Sequence, residues 1–442
     1  MVGFKEKASF ASGDFALNLY WQIVSTYLLF FYTDYVGLGP AVAGMIYMAA
    51  SIWDAVTDPA MGVIADRTRS RWGSYRPYIL FGSIPLAISF CLMLYQPELE
   101  GAGLIAWVAA THILFRTCYT VVSIPYTTLG GRLSTQAEER TSIAAYRMVL
   151  ATAAGVIVTT QTLVWVDVLN ETHRQGFLYV ALVYAAVATL TLVFCFRSIS
   201  EHSHQLVEKA VDKPSLSEIL HALRVNRPFL VLLLAICLSV FSLTTFLSTL
   251  VYYIKYDLLK PDLIGVVFGM KTGISMLSLP FWTWLVKKSS KRSVWWVAAV
   301  MFILGLLALF ALPSSQVTLI LVILGFISFA YGAFTLNFWG MLPDTIEYSQ
   351  LKTGVRADSV IFGLAQFVLK TSIGIGAGAL GYLLVFVGYE ANIQQSADTL
   401  SGMRNILVLV PVLLQVGACL VLLAYPISNR SHARMVREIA DR

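Results

Sequence analysis

Apolar residues recur in runs long enough to cross a bilayer, separated by short polar stretches. A window of about 19 residues places such runs near 14–36, 41–65, 77–96, 103–128, 142–165 and 176–197, then, after a polar break, near 228–254, 261–286, 293–312, 317–343, 358–388 and 403–426. A chain in lipid must satisfy its backbone polar groups internally, so the pattern predicts an all-α membrane protein of twelve transmembrane helices. The break itself is too polar to span. Ser215 and Glu218 make a capping box within it, which predicts one surface helix from Ser215 to Arg224. The layout is therefore a first six-helix bundle at 1–197, a central linker at 198–227, a second six-helix bundle at 228–426 and a tail at 427–442. Arg67, Arg69 and Arg71 follow the second run, and Lys287, Lys288, Lys291 and Arg292 follow the eighth, as two duplicated six-helix units would place them.

Several polar residues break the apolar runs. Asp54 and Asp58 stand four residues apart, so they share one helix face. Pro59 cannot donate to the carbonyl of Ala55, which frees a third oxygen one turn back. Carboxylates in hydrocarbon need a cation, a proton or water, so this face is expected to line a cavity; the alternative is a charge pair that only locks two helices. Asp14, Asn18, Gln22 and Ser25 form a second polar stripe, which belongs against a cavity or against hydrogen-bonding partners on other helices. Arg116, Arg147, Lys271 and Lys370 are embedded cations. Lys370 lies too deep to snorkel and is expected to pair with a carboxylate from the other half. Tyr252, Tyr253, Trp282, Trp284, Trp295 and Trp296 fall near run ends and are expected in interfacial belts. Trp21, Tyr119, Tyr126 and Trp339 lie deeper and could stack under an apolar ligand face.

Composition agrees with the membrane reading. Hydrophobic residues make up 57% of the 442 and charged residues only 13%, against roughly one half and one quarter in soluble domains. Of the 31 Lys and Arg, 23 fall on the side shared by both termini and the linker, which predicts cytoplasmic termini. The net charge of +6 is a product of that asymmetry and gives no sign of nucleic-acid binding. The N-terminus carries no cleavable signal pattern, so the first run is expected to be retained. Five cysteines without close pairs suggest neither disulfides nor a metal knuckle. Six scattered histidines, including His202 and His204 in the linker, do not pair with a nucleophile, and a phosphate-cradling glycine loop is missing. An enzyme or an ATP-driven pump is therefore not expected, nor is a cofactor.

Trp53-Asp54, Asp58-Pro59, Gly62, Asp66-Arg67-Thr68-Arg69-Ser70-Arg71-Trp72-Gly73 and Arg76-Pro77 resemble the second-helix and loop signature of the glycoside-pentoside-hexuronide:cation symporters, the melibiose permease-like sugar transporters of the major facilitator superfamily. Further matches are the Tyr-Thr-x-x-x-Ile-Pro stretch ending at Pro125, Glu138-Glu139-Arg140-Thr141 with Arg147, and Trp339, Pro343-Asp344, Glu347-Tyr348, Lys352 to Arg356 and Lys370. The resemblance implies a major facilitator fold in a bacterial inner membrane, working as a monomer, that couples uptake of a sugar or glycoside to a cation by alternating access. It implies substrate contacts at Asp14 and Arg147; the polar stripe, the embedded cations and the deep aromatics add Asn18, Gln22, Arg116, Tyr119, Ser123, Trp339 and Lys370 as candidates, with Arg116 departing from the family's small residue at that position. The coupling ion, H+ or Na+, falls to Asp54, Asp58 and Thr120, with cytoplasmic gating by Arg67, Arg69, Arg71, Asp344 and Glu347. Ser123 replaces the family's galactoside-holding aspartate and Thr127 its tryptophan, so melibiose is not the expected substrate. The embedded cations outnumber Asp14, Asp54 and Asp58 by one, which favours an acidic glycoside such as a hexuronide or sulfonated sugar. Arg116 lies one turn from Thr120; if it reaches the carboxylate pair it opposes a metal cation and favours a proton. A lysolipid carrier of the same fold is the alternative.

Overall fold

The computed structural model describes residues 3–133, 137–173, 175–199, 216–355, 358–427, 431–432, 434–435 and 438. Linker residues Glu201, His202, His204, Glu208, Asp212, Lys213, Pro214 and Ser215, together with Arg356, lie outside them. The described chain is helical throughout. Helix α1 (Phe4–Thr26) continues through Leu28–Phe30 into a π-helical turn at Phe31–Tyr35. It is followed by α2 (Pro40–Arg67), α3 (Arg76–Met93), α4 (Gly101–Arg132), α5 (Ala137–His173) and α6 (Gly176–Ser198). The short linker helix α7 (Leu216–Val225) precedes α8 (Arg227–Tyr252), which ends in a second π-helical turn at Tyr253–Asp257. Helices α9 (Leu263–Lys288), α10 (Lys291–Ala311), α11 (Val317–Thr353), α12 (Asp358–Phe386) and α13 (Ala397–Leu423) complete the chain.

Among the described residues, 10 helices are long and apolar enough to cross a membrane. The segments Phe4–Tyr35 and Pro40–Arg67 are not among them, because Asp14, Asn18, Gln22, Asp54 and Asp58 lower their hydropathy. Elsewhere the helices overrun the apolar windows. Helix α5 begins at Ala137, so Glu138 to Thr141, read from sequence as a loop, is helical. Helix α11 runs 37 residues, past Pro343 to a left-handed Gly354.

Contacts divide the chain into two compact units. The first holds Met1–His204, Leu250–Thr272 and Ala377–Leu400. In it α1 packs on α5 and α6, α4 packs on α2 and α3, and α6 also packs on α3 and α5. The second holds Gln205–Thr249, Gly273–Gly376 and Ser401–Arg442. There α10 lies against α11, and α7 is tied to the same helix near Asn226, whose Nδ2 donates to the Thr345 carbonyl at 2.8 Å while its Oδ1 accepts from Phe229 N at the start of α8.

The duplication suggested by the arginine clusters extends to backbone geometry. Val36 N donates to Phe31 O and Leu38 N to Tyr32 O; in the same register Leu258 N donates to Tyr253 O and Lys260 N to Ile254 O. A left-handed residue follows each π-helical turn, Gly37 (φ 81°) in one copy and Leu259 (φ 53°) in the other. Next come Pro40 and Pro261, then Gly44 and Gly265, then Pro59 and Pro280. Each glycine lets two backbones meet. A methyl on Gly44 would lie 2.9 Å from the Ala377 carbonyl oxygen, and one on Gly265 would lie 2.9 Å from those of Thr159 and Thr160. Gly265→Val is therefore expected to destabilise the protein by about 1–3 kcal/mol, seen as earlier loss of monodisperse protein when the detergent-solubilised chain is heated.

The interfacial-belt reading of the aromatics needs correction. Trp282, Trp295, Tyr252 and Tyr253 are buried. These rings lie on the faces of their helices that pack against neighbours, and the indole of Trp282 donates to the Phe329 carbonyl at 2.8 Å. Trp284 is exposed, as a belt residue would be, with Lys288 over its ring at 4.4 Å.

Candidate functional site

Two charged clusters of the first unit gather most of the sequence-predicted site residues, and the first is built on α2 and α4. The i, i+4 spacing turns Asp54 and Asp58 to the same face, where Asp54 is fully buried and Asp58 half-buried. Arg116 on α4 is 1% exposed. Its Nη1 donates to Asp54 Oδ2 at 3.3 Å, its Nη2 to Ser51 Oγ at 3.4 Å and its Nε to His112 Nε2 at 3.3 Å. The guanidinium lies over the rings of Trp21 (5.2 Å) and Tyr47 (5.6 Å), whose π faces favour a cation once water is excluded. Arg116, expected among the substrate-contacting residues, is thus enclosed with Asp54.

Thr120 stands one turn along α4 from Arg116. Its Oγ1 is 2.7 Å from Asp54 Oδ1 and 2.9 Å from Asp58 Oδ1. A hydroxyl carries one proton, so it can donate to only one of the two carboxyls. The second contact is satisfied when the other carboxyl is protonated and donates to Thr120. On its other side Asp54 faces the Arg116 guanidinium.

The second cluster joins α1, α4 and α5. Arg147 Nε donates to Asp14 Oδ2 and its Nη2 donates to Asp14 Oδ1 at 3.2 Å, the two-pronged geometry that favours arginine for carboxylates. The Tyr126 hydroxyl lies 2.8 Å from Asp14 Oδ2 and 2.6 Å from the Phe10 carbonyl oxygen. Its ring stacks on Phe10 at 4.6 Å, an approach that needs Gly13, where a methyl would come within 2.3 Å of the ring. The polar stripe continues along α1: Asn18 Nδ2 donates to Asp14 O, Gln22 Nε2 to Asn18 Oδ1 and Ser25 Oγ to Gln22 O. These bonds stay within one helix rather than crossing to another. Arg147 therefore pairs with Asp14 and not with Asp54, and the two clusters are separate. Trp21, also on α1, lies 5.2 Å from the Arg116 guanidinium and 5.7 Å from the Tyr119 ring. Ser123 is half-buried on α4.

In the second unit, Trp339 is 38% exposed and stacks 6.4 Å from Phe362, and Lys370 is half-buried on α12. Asp344 accepts from Lys291 Nζ at 2.6 Å, and His432 reaches both Asp344, at 3.4 Å, and Glu347. Asp344, Glu347 and His432 could together offer ligand atoms to a metal, but the Lys291 ammonium already occupies the carboxylate they would share. Arg67, Arg69 and Arg71 are exposed after α2, with Arg71 over Trp72 at 4.0 Å.

Sequence reasoning missed His112, Ser51 and Tyr47 around Arg116, and Lys291 and His432 around Asp344. His112 and Arg116 stand at i and i+4, and so do Tyr47 and Ser51, a spacing that could have found them. His432 carries no such signal, because it joins Asp344 from the far end of the chain.

A family profile described as "MFS/sugar transport protein" matches residues 9–429, so the chain belongs to that family of multi-pass membrane transporters and is not an enzyme. It is 33% identical over all of its length to an "Uncharacterized symporter YnaJ" of Bacillus subtilis (strain 168), covering 96% of that protein. Against an "Isoprimeverose transporter" of Lactiplantibacillus pentosus it is 30% identical, with 93% of this chain and 86% of the relative covered. Among solved structures, a bacterial homologue of the human lysosomal transporter Spinster superposes with a TM-score of 0.72 at 12% identity over 98% of this chain and 99% of that one, a likeness of fold alone.

Proposed function

We propose that the protein is a proton-coupled symporter that takes up a sugar or glycoside by alternating access across a bacterial inner membrane, with twelve spans in two six-helix bundles and both termini cytoplasmic. The observation that carries the proton is the single hydroxyl of Thr120 between the carboxyls of Asp54 and Asp58, with Arg116 against Asp54. In this reading Asp58 takes and releases the proton while Asp54 keeps its pairing with Arg116. In the first unit the substrate contacts are Asp14, Asn18, Gln22, Tyr119, Ser123, Tyr126 and Arg147, and in the second unit Trp339 and Lys370. The sugar assignment draws on the polar stripe of α1 and on the isoprimeverose transporter, which is 30% identical. Arg67, Arg69, Arg71, Asp344 and Glu347 gate the cytoplasmic end.

An acidic glycoside is favoured by one feature of Arg147. Its Nε and Nη2 serve Asp14, Nη1 makes no hydrogen bond among the described residues, and the side chain is 25% exposed. A substrate carboxylate or sulfonate would find two N–H donors there. Competition of uptake by paired neutral and acidic glycosides tests the substrate, and strong competition by neutral sugars alone would remove the acidic reading.

Imposed gradients in vesicles test the ion. An inward proton gradient is expected to drive accumulation, and substrate addition is expected to make the medium alkaline. A sodium gradient that drives accumulation at constant pH, without alkalinisation, would refute proton coupling.

A further inference from the structure

The two π-helical turns of the first unit face one another through a buried polar cluster that the transport site does not use. The backbone register makes Thr33 the equivalent of Lys255, and Asp34 the equivalent of Tyr256. A contact between repeat equivalents is the kind a two-fold relation brings together, and it is attractive only where the copies have diverged into complementary partners. Here they have. The Asp34 side chain is fully covered, yet it accepts from Lys255 Nζ at 2.7 Å, Tyr389 Oη at 2.8 Å, Thr33 Oγ1 at 2.6 Å and the Tyr256 hydroxyl. Asn392, itself at φ 59°, closes the cluster. Its Nδ2 donates to Asp34 O at 2.6 Å, its Oδ1 accepts from Lys255 at 2.8 Å, and its backbone N donates to the Tyr256 hydroxyl at 2.9 Å. Burial, then the charge of Asp34, hold the Tyr389 phenol well above its usual value, so it remains a donor at physiological pH.

Such a cluster is a poor permanent fastening, because the desolvation of a buried ion pair offsets most of its attraction and an apolar contact would bind as well. Its distinctive property is that it can open. Lys255 is already 23% exposed, so separation returns charged groups to water, whereas an opened apolar contact would expose hydrocarbon. The π-helical turns support the same reading, since such turns concentrate at functional positions in helices.

We propose that Asp34, Lys255, Tyr256, Tyr389 and Asn392 form a latch that holds the ends of α1, α8 and α12 together on the side opposite the N-terminus and releases them once in each transport cycle to admit substrate from that side. The proposal rests on the transporter reading, but its test does not need a transported substrate. The full-length chain with Gln22→Cys, in sealed vesicles with that side outward, is treated with a membrane-impermeant maleimide. Tyr389→Phe, which removes one hydroxyl, and Asp34→Asn are expected to speed labelling of the introduced thiol by roughly tenfold or more, as loss of a hydrogen bond to a charged group shifts a two-state equilibrium. Lys255→Gln added to Asp34→Asn is expected to add little, since the two act through one contact. Labelling at the unaltered rate in both single variants, with elution and melting like those of the parent chain, would overturn the latch. Faster labelling in these variants, beside a parent chain with Gln22 intact that accumulates no sugar, would leave the latch standing and overturn the transporter reading instead.

Discussion

Asp54→Asn in an otherwise unchanged chain is expected to be the most damaging single substitution, abolishing coupled uptake and lowering stability by about 3–5 kcal/mol. The reason is Arg116, which is 1% exposed and would keep its charge with no carboxylate facing it. Ser51, His112 and the rings of Trp21 and Tyr47 would remain, and none of them carries a negative charge. Removing both charges, with Asp54→Leu and Arg116→Met, is expected to restore much of the melting temperature in detergent, because a buried pair replaced by packed apolar groups is often neutral or stabilising. Uptake would not return with it. A double variant that melts as low as Asp54→Asn would show that the pair itself holds α2 against α4.

Asp14→Asn is expected to cut uptake by at least about tenfold, since hydrogen bonds to charged groups are worth about 1.5–3 kcal/mol each and two donors of Arg147 converge on this carboxylate. Its side chain is 15% exposed, so the protein should fold and the loss should appear in the half-saturating substrate concentration. Proton uptake by Asp58 belongs to the other cluster and is expected to persist. A variant with unchanged substrate affinity but lost proton movement would reverse the roles given to the two clusters.

Much of this was legible in the sequence. Asp54 and Asp58 declare themselves by spacing and by their cost in hydrocarbon, and Thr120 follows from the fourth-run motif. The azimuth of α4 about its own axis was not legible. That angle decides whether Arg116 meets Asp54 or looks toward Ser123, and it is set by side-chain packing rather than by any local pattern. Asp34 was passed over for a different reason. It sits at the end of an apolar run, where a carboxylate ordinarily reaches the headgroups, and nothing local announces the π-helical turn beneath it or partners more than two hundred residues away. The belts failed at Trp282 and Trp295 because hydropathy windows locate a span and not which face of it turns inward. The central linker was read as mostly non-helical with one surface helix, and α7 occupies nearly the residues assigned to it, because a capping pattern is local.

Trp21 sets one cluster against the helix that carries the other's carboxylate. Its indole touches the guanidinium that holds Asp54, while Asn18 and Gln22 carry the polar stripe of the same helix past it. A tilt of α1 on substrate binding would therefore also change the surroundings of Arg116 and, in the proton-coupled reading proposed above, the ease of protonating Asp58. Thermodynamic reciprocity then fixes a quantity: the factor by which the coupling ion tightens sugar binding equals the factor by which the sugar tightens ion binding.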